Sequence, residues 1–409
     1  MTPGRTTVFR AARVFDGEAF LRGPHDVTVS DGVINSVAPT GPQAPGADVH
    51  VVDCAGRTLL PGLIDAHVHM MMSGDPTAVA LRPYSQAYYE SVANARTVLS
   101  CGVTTVRDCG GADLGMKRAV DGGIVPGPRM KIATSIISQT GGHGDYRLPS
   151  GYTFGMVAEH EGLPHAVVDG VDEARKIART LIRAGADHLK ICTSGGVMSP
   201  TDNPHHPQFS YDEIRVIVEE AEAVDSYVLS HAIGATGIRN AVCAGVRSIE
   251  HGIFADPETL DMMAERGVFL VPTMTAPRGL LKKAESGAYV PEYMVTKARA
   301  VADRHLAAVG RAHRAGVKIA MGSDSGINPH GRHLEELSLM AEAGMSLEQA
   351  LSAGTKVAAE LLRETGALGE IKDGCVADLV LLDLELSRTD QLASLAERVG
   401  GVWKGGQAV

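Results

Sequence analysis

The chain has 409 residues, 44% of them hydrophobic and 21% charged, and a net charge of −10; this is the composition of a soluble globular protein too long for one small core. The acidic balance, with no basic tract, excludes a nucleic acid or an anionic membrane as the natural partner, because both need a positive face. Six scattered cysteines without a CxxC pair read as free thiols of a reducing compartment, and with no apolar leader and no run of about 18 apolar residues the expected location is the cytoplasm.

In chain order, residues 1–57 are strand-like. "HDVTVSDGVINSVAP" has two apolar runs joined at Asp31-Gly32, a hairpin signal because both turn positions favour positive φ. "VHVVDCAGRTLL" follows as two further short strands. From about 58 to 366 the pattern alternates. Apolar runs such as "LIDAHVHM", "VTTVRDCG", "MKIATSII", "HLKICTS", "YVLSHA", "SIEHG", "FLVPTM" and "KIAMGSDSG" are mostly followed by helical segments. One of these, "DPETLDMMAERG", has Asp256 as N-cap, Pro257 at the first helical position and Gly267 at the end. Another, "SLEQALSAGTKVAAELL", opens with a capping box of Ser346 and Gln349. The C-terminal stretch resembles the start, with "GEIKDGCVADLVLLD" placing an Asp373-Gly374 turn between extended runs.

Eight strands alternating with helices predict a (β/α)8 barrel at 58–366, with 1–57 and 367–409 meeting in a small β-sandwich domain. An open doubly wound sheet is disfavoured, since no glycine-rich phosphate loop follows the first strand.

Catalytic groups of such a barrel sit at the C-terminal ends of its strands. There the sequence places His67 and His69, Lys190, His231, His251 and Asp324. Residues two apart on a strand face the same side, so the HxH pair can converge on one ion, and imidazole with carboxylate suits zinc and related divalent metals. Each histidine alone is an ordinary core feature; five strand ends in this order are not. Lys190, costly to bury as a cation, reads either as an ion pair or snorkelling stem, or as a lysine converted by CO2 to an anionic carbamate that bridges two metals.

"PGLIDAHVH", Lys190, His231, "SIEHG" and "GSD" together resemble the amidohydrolase superfamily over nearly the whole chain. The resemblance implies two divalent ions, with zinc the first expectation. His67 and His69 would hold one ion with Asp324, His231 and His251 the other, and carboxylated Lys190 would join them. It implies cleavage of a C–N amide bond by a metal-bridging hydroxide, with Asp324 moving the proton to the leaving nitrogen, and it implies a homo-oligomer. "TGGHGD", "TSGGVMSP" and "NPHGRHLEEL" look like the branch of Xaa-Pro dipeptidases and N-acyl amino acid hydrolases. The expected substrate is therefore an N-acyl amino acid or an Xaa-Pro-type dipeptide. The alternative is an aryl amide, carbamate, urea or mycotoxin-type xenobiotic. Remoter readings are an imidazolonepropionase-like cyclic amide hydrolase and a non-catalytic scaffold, the latter opposed by the complete ligand set.

His143, in a glycine-rich loop after the third strand, is expected to bind the developing oxyanion or a substrate carboxylate. Tyr211, His330 and Arg147 are further substrate-binding candidates, while His205, His206, His305 and His313 read as surface or helix residues. Ile233 stands where a second polar group after His231 is expected, giving an apolar edge. Long loops after strands one and three, including Met70 to Met72, are expected to wall the pocket.

Overall fold

A computed structural model describes residues 6–42, 49–72, 82–148, 150–153 and 160–409. Two kinds of sheet differ in how their residues are buried. Strands β1 (Thr7–Val14), β2 (His25–Ser30), β3 (Val33–Pro39), β4 (His50–Asp53) and β5 (Thr58–Pro61) join β14 (Leu379–Leu382), β15 (Val399–Lys404) and β16 (Gln407–Ala408) in one eight-stranded sheet. Its order is β16-β15-β14-β5-β1-β2-β3, with β4 on β1. β2 alternates buried and half-buried residues, the signature of a sheet with one wet face. Phe9, Val27, Val29, Ile34, Leu59 and Leu379 from both chain ends pack the other face.

The second kind is parallel and mostly buried, with half-buried residues only in β8 and β9. β6 (Leu63–Val68), β7 (Val103–Asp108) and β8 (Arg129–Ile132) form one sheet. β9 (Ile136–Ile137), β10 (Leu189–Cys192), β11 (Val228–Ala232), β12 (Ser248–His251) and β13 (Phe269–Val271) form another. Every residue of β6, β7, β10, β11 and β12 is buried, as strands covered on both faces require. β8 and β9 are consecutive in the chain, separated by a kink at Thr134, which has φ 62°. The segment 318–325 bonds on one side to β13 (Leu270 N to Lys318 O, 2.9 Å) and on the other to β6 (Ala66 N to Met321 O, 2.8 Å; Asp324 N to His67 O, 2.7 Å).

Eleven helices among the described residues complete the mixed α/β architecture: α1 (Tyr84–Ser100), α2 (Leu114–Asp121), α3 (Val171–Arg183), α4 (Tyr211–Glu222), α5 (Ala235–Ala244), α6 (Pro257–Arg266), α7 (Thr275–Glu285), α8 (Glu292–Arg314), α9 (Glu335–Glu342), α10 (Leu347–Ala353) and α11 (Lys356–Leu361). α6 starts at Asp256, whose side chain accepts from Thr259 N, and stops at left-handed Gly267. α10 opens with the Ser346–Gln349 capping box. No helix among the described residues is long and apolar enough to cross a membrane.

Three local readings need adjusting. The turn at Asp31 and Gly32 has positive φ at both positions and joins β2 to β3 as expected. The turn at Asp373-Gly374 joins no hairpin: Gly374 N and Cys375 O bond to Ile34, and only Leu379–Leu382 is a strand. The apolar stretch after Ser346 is two helices. Its chain breaks because Ala353 O and Gly354 O accept from Met321 N and Ile64 N, so β6 and the segment 318–325 take carbonyls that a continuous helix would need. Of the loop after β6, residues 73–81 lie outside the described residues, as do 149 and 154–159 of the loop after β9. Met70, Met71 and Met72 are buried.

Candidate metal centre and its cavity

The C-terminal ends of the parallel strands surround a cavity of about 830 Å³, part of it open to solvent. Its lining contains His67, His69, Lys190, His231, His251 and Asp324, so all six groups expected from strand ends meet in one place. His67 and His69 leave β6 on the same side, with ring centroids 5.4 Å apart. The Nε2 atoms of His67 and His69 stand 3.5 and 3.3 Å from Oδ1 of Asp324. His251 lies 5.4 Å from His67 and 4.6 Å from His231, centroid to centroid. His251 and Asp324 both have left-handed backbone, at φ 71° and 56°, which breaks the strand alternation and turns each side chain to the common side.

The electrostatics favour the neutral, ligand-competent form at three of the four histidines. Burial, reinforced by the Lys190 charge, holds His67 well below the usual imidazole range. Burial with the nearby His143 does the same for His231, and burial with His67 for His251. Burial works against imidazolium at His69 too, but the Asp324 carboxylate outweighs it and raises His69. Burial works against the Asp324 anion, yet His67 and His69 hold it below the ordinary carboxylate range. Lys190 is buried, and no carboxylate among the described residues pairs with it.

The residues present fit a divalent metal. Oδ1 of Asp324 is buried and has no hydrogen-bond partner, although two imidazole Nε2 atoms face it. A buried acceptor left in that state is costly unless a cation completes it. His67, His251 and Asp324 bring ligand atoms within 4.8 Å of one another. His67, Cys109 and Glu250 do so as well, but Glu250 is already bonded to Arg107 and Ser248, and burial pushes the Cys109 thiol up, away from the thiolate.

His67, His69 and His251 are each oriented through Nδ1, whereas His231 is held through Nε2, 3.1 Å from Gly195 O, which leaves its Nδ1. Nδ1 of His67 meets Oε2 of Glu250 at 2.6 Å; Nδ1 of His69 donates to Gly110 O at 2.8 Å; Nδ1 of His251 meets Thr273 Oγ1 at 2.6 Å. Fixing Nδ1 in this way leaves Nε2 for a metal. Beneath the site, Arg107 clasps Glu250 at 2.9 Å and also bonds Ala66 O and Ser248 Oγ, all fully buried. Asp65 accepts from His67 N, Ser323 Oγ and His333 Nδ1, tying the HxH strand to the segment that carries Asp324.

His143 also reaches the cavity. Its ring stacks on His231 at 4.1 Å, and its Nδ1 lies 2.8 Å from Ser199 Oγ and 3.5 Å from Asp202 Oδ2. The loop passes this close only because residue 196 is glycine; a Cβ there would sit 2.2 Å from Cε1 of His143. Asp202, although burial opposes its charge, is held far below the usual range by His143, Ser199 and Lys297.

The other candidates separate. Tyr211 stands half exposed in the first turn of α4, which Ser210 caps, and does not line the cavity. Arg147 is exposed and lines a neighbouring cavity that shares Met72, Ile136 and Tyr146 with the first. His330 stacks near His333, 5.5 Å between centroids, behind His69 rather than on the cavity wall. Ile233 lines the cavity as the apolar edge expected of it.

His305, read as a surface or helix residue, is on a helix, α8, but is buried and lines the cavity, with burial holding it near 4. Sequence reading also passed over Asp65, Arg107, Glu250, Asp202 and Lys297. A signal existed for two of them: Arg107 and Glu250 are opposite charges inside otherwise apolar strand runs, and a buried charge calls for a buried partner.

Comparison with known proteins agrees with this geometry. The profile of the amidohydrolase family matches residues 58–409. The chain is 34% identical over 365 residues to the ochratoxinase of Aspergillus niger, covering 85% of this chain and 75% of that protein. A prolidase crystallised with N-methylphosphonate-L-proline superposes with a TM-score of 0.89 at 36% identity, covering 99% of both chains. A Xaa-Pro dipeptidase with methionine in its active site gives 0.89 at 30% identity, again over 99% of both. The chain therefore belongs to the amidohydrolase family and is an enzyme that hydrolyses C–N bonds.

Proposed function

We propose that the protein is a binuclear metal-dependent hydrolase of the amide bond in an N-acyl amino acid or Xaa-Pro-type dipeptide. The observation that carries the metal centre is Oδ1 of Asp324, buried, unpartnered and faced by two imidazole nitrogens in a cavity that Lys190, His231 and His251 also line. In this reading His67, His69 and Asp324 hold one ion, His231 and His251 the other, and Lys190 is carboxylated between them. The burial of Lys190 without a carboxylate partner supports that modification. Zinc suits the nitrogen and oxygen donors.

The two ions would supply Lewis acidity and a water acidic enough to ionise near neutral pH. The chain's own groups do the rest. Asp324 accepts the proton of the attacking water on a carboxylate oxygen and returns it to the leaving nitrogen. His143, with Nδ1 anchored by Ser199 and Asp202, presents Nε2 to the carbonyl oxygen as negative charge develops there. Glu250 and Thr273 keep His67 and His251 in the tautomer with Nε2 turned to the centre.

The scaffold in this reading is a closed (β/α)8 barrel over 58–366 with a small β domain built from 1–57 and 367–409. The bonds of segment 318–325 to both β13 and β6 support closure. β5, at the start of the 58–366 range, pairs with β1 and β14 of the first sheet.

Similarity to the prolidase and the Xaa-Pro dipeptidase supports the peptide-like substrate, and similarity to the ochratoxinase favours, as a second reading, a xenobiotic aryl amide. The discriminating test uses metal-loaded enzyme with N-acyl-proline and a neutral anilide carrying the same acyl group. Preferred turnover of the carboxylate-bearing substrate is expected. Equal turnover rejects the first reading in favour of the second.

A further inference from the structure

Resting on the amide-hydrolase reading, we propose that the apolar part of the cavity lining is a preshaped subsite, and that the substrate carries a bulky uncharged group, aromatic or branched, on one side of the scissile bond. Val197, Met198, Ile233, Ile253, Leu280 and Val301 form this wall. They belong to two small apolar clusters, one beyond the C-terminal ends of β11 and β12 and one between α7 and α8, with Val197 in both. The ionisable lining comes from the strand ends and from the loop after β9, which adds His143 and Tyr146, while the α7–α8 hairpin adds only His305. A charged or strongly polar substituent placed against this wall would lose its hydration without a partner.

The wall is held in shape by polar bonds on its outer side. Nζ of Lys297, on α8, lies 3.0 Å from Gly196 O, 2.8 Å from Ser199 O, 2.6 Å from Asp202 O and 3.0 Å from Asp202 Oδ1. Tyr293 donates to Met198 O at 3.2 Å. These contacts pin the loop bearing Val197 and Met198 to the helix bearing Val301. Asn328 Nδ2 donates to Thr275 O at 2.8 Å and seats α7. A Cβ on Gly279 would lie 2.3 Å from the Asn328 side chain, so the helix rests directly on it. An apolar surface fixed before substrate arrives spends less ordering entropy on binding.

The experiment uses two substrate series with metal-loaded enzyme. One varies the acyl half (acetyl, butanoyl, hexanoyl, benzoyl) on a constant amino acid. The other varies the amine half (glycine, alanine, leucine, phenylalanine) under a constant acetyl group. In the responsive series kcat/KM is expected to rise about fourfold per buried methylene, and Leu280→Ala to cut the gain of the bulkiest member roughly tenfold. Equilibrium binding of both series, read by titration calorimetry on wild type and Leu280→Ala, should follow the same order. Turnover and binding that are flat in both series, or that favour polar groups, overturn the subsite. Graded binding without turnover of any amide overturns the amide-hydrolase reading and leaves the subsite standing.

Discussion

Oε2 of Glu250 lies 2.6 Å from Nδ1 of His67, and both side chains are buried. The carboxylate fixes which nitrogen of His67 carries the proton, and Arg107 at 2.9 Å balances its charge. Glu250→Ala is expected to weaken zinc binding by about 10–100-fold, measured by competition with a chromophoric chelator. Arg107→Met leaves a buried carboxylate uncompensated and should cost about 3–5 kcal/mol of stability in a denaturant titration. Unchanged zinc affinity in Glu250→Ala defeats the orienting role.

Lys190 is the test of a two-ion centre. Wild type loaded with zinc and bicarbonate should hold two ions per chain and Lys190→Ala at most one, by elemental analysis. Activity of the variant should fall by more than the roughly 100-fold that loss of an outer-shell partner costs. Wild type that retains less than one ion after loading removes the metal reading altogether.

In the proposed reaction Asp324 and His143 divide the proton and oxyanion work, so their variants should differ in kind. Asp324→Asn is expected to lower kcat by about 10²–10⁴ and to weaken metal binding. His143→Ala should lower kcat by about 10²–10³ with metal content intact. Full metal content with unchanged kcat in His143→Ala shows that the ring serves only to pack on His231.

Glu336 gives a pH signature away from the centre. It is buried, accepts from Met274 N, Thr275 N and Thr275 Oγ1, and burial, the dominant influence, raises it from 4.5 to about 7. Between those values the folded state holds more proton than the unfolded chain. Stability therefore falls as pH rises through this window, by up to about 3 kcal/mol from this group. Urea titrations across that range should show the slope in wild type and a smaller one in Glu336→Gln. Equal slopes assign the dependence elsewhere.

The candidate metal cluster was legible in sequence because strand geometry is: two residues apart means one face, and polar groups at the ends of apolar runs stand out. Left-handed backbone at His251 and Asp324 was not legible, since nothing in "SIEHG" or "GSDSG" distinguishes a residue with positive φ from one that continues the strand. The outer ring escaped for another reason. Glu250 reaches His67 from 183 positions away and Lys297 reaches Asp202 from 95, distances at which no local pattern operates. His305 reads as an ordinary helix residue and becomes part of the cavity only when α8 folds over the strand ends. The break between α10 and α11 is similarly imposed by Ile64 and Met321, not by any local helix breaker strong enough to predict it.

The clasp of Lys297 on the 196–202 loop bears on traffic. To swing α8 aside, a ligand would have to break several short bonds at once and strand the Asp202 carboxylate without its ammonium. That ceiling is a poor door. Among the described residues the two cavities meet where Met72, Ile136 and Tyr146 face both, and this is the side on which we expect reactant and departing halves to pass. Bulk added at Ile136 should therefore slow release of the products, whereas bulk added at Val301 should change which molecules are accepted.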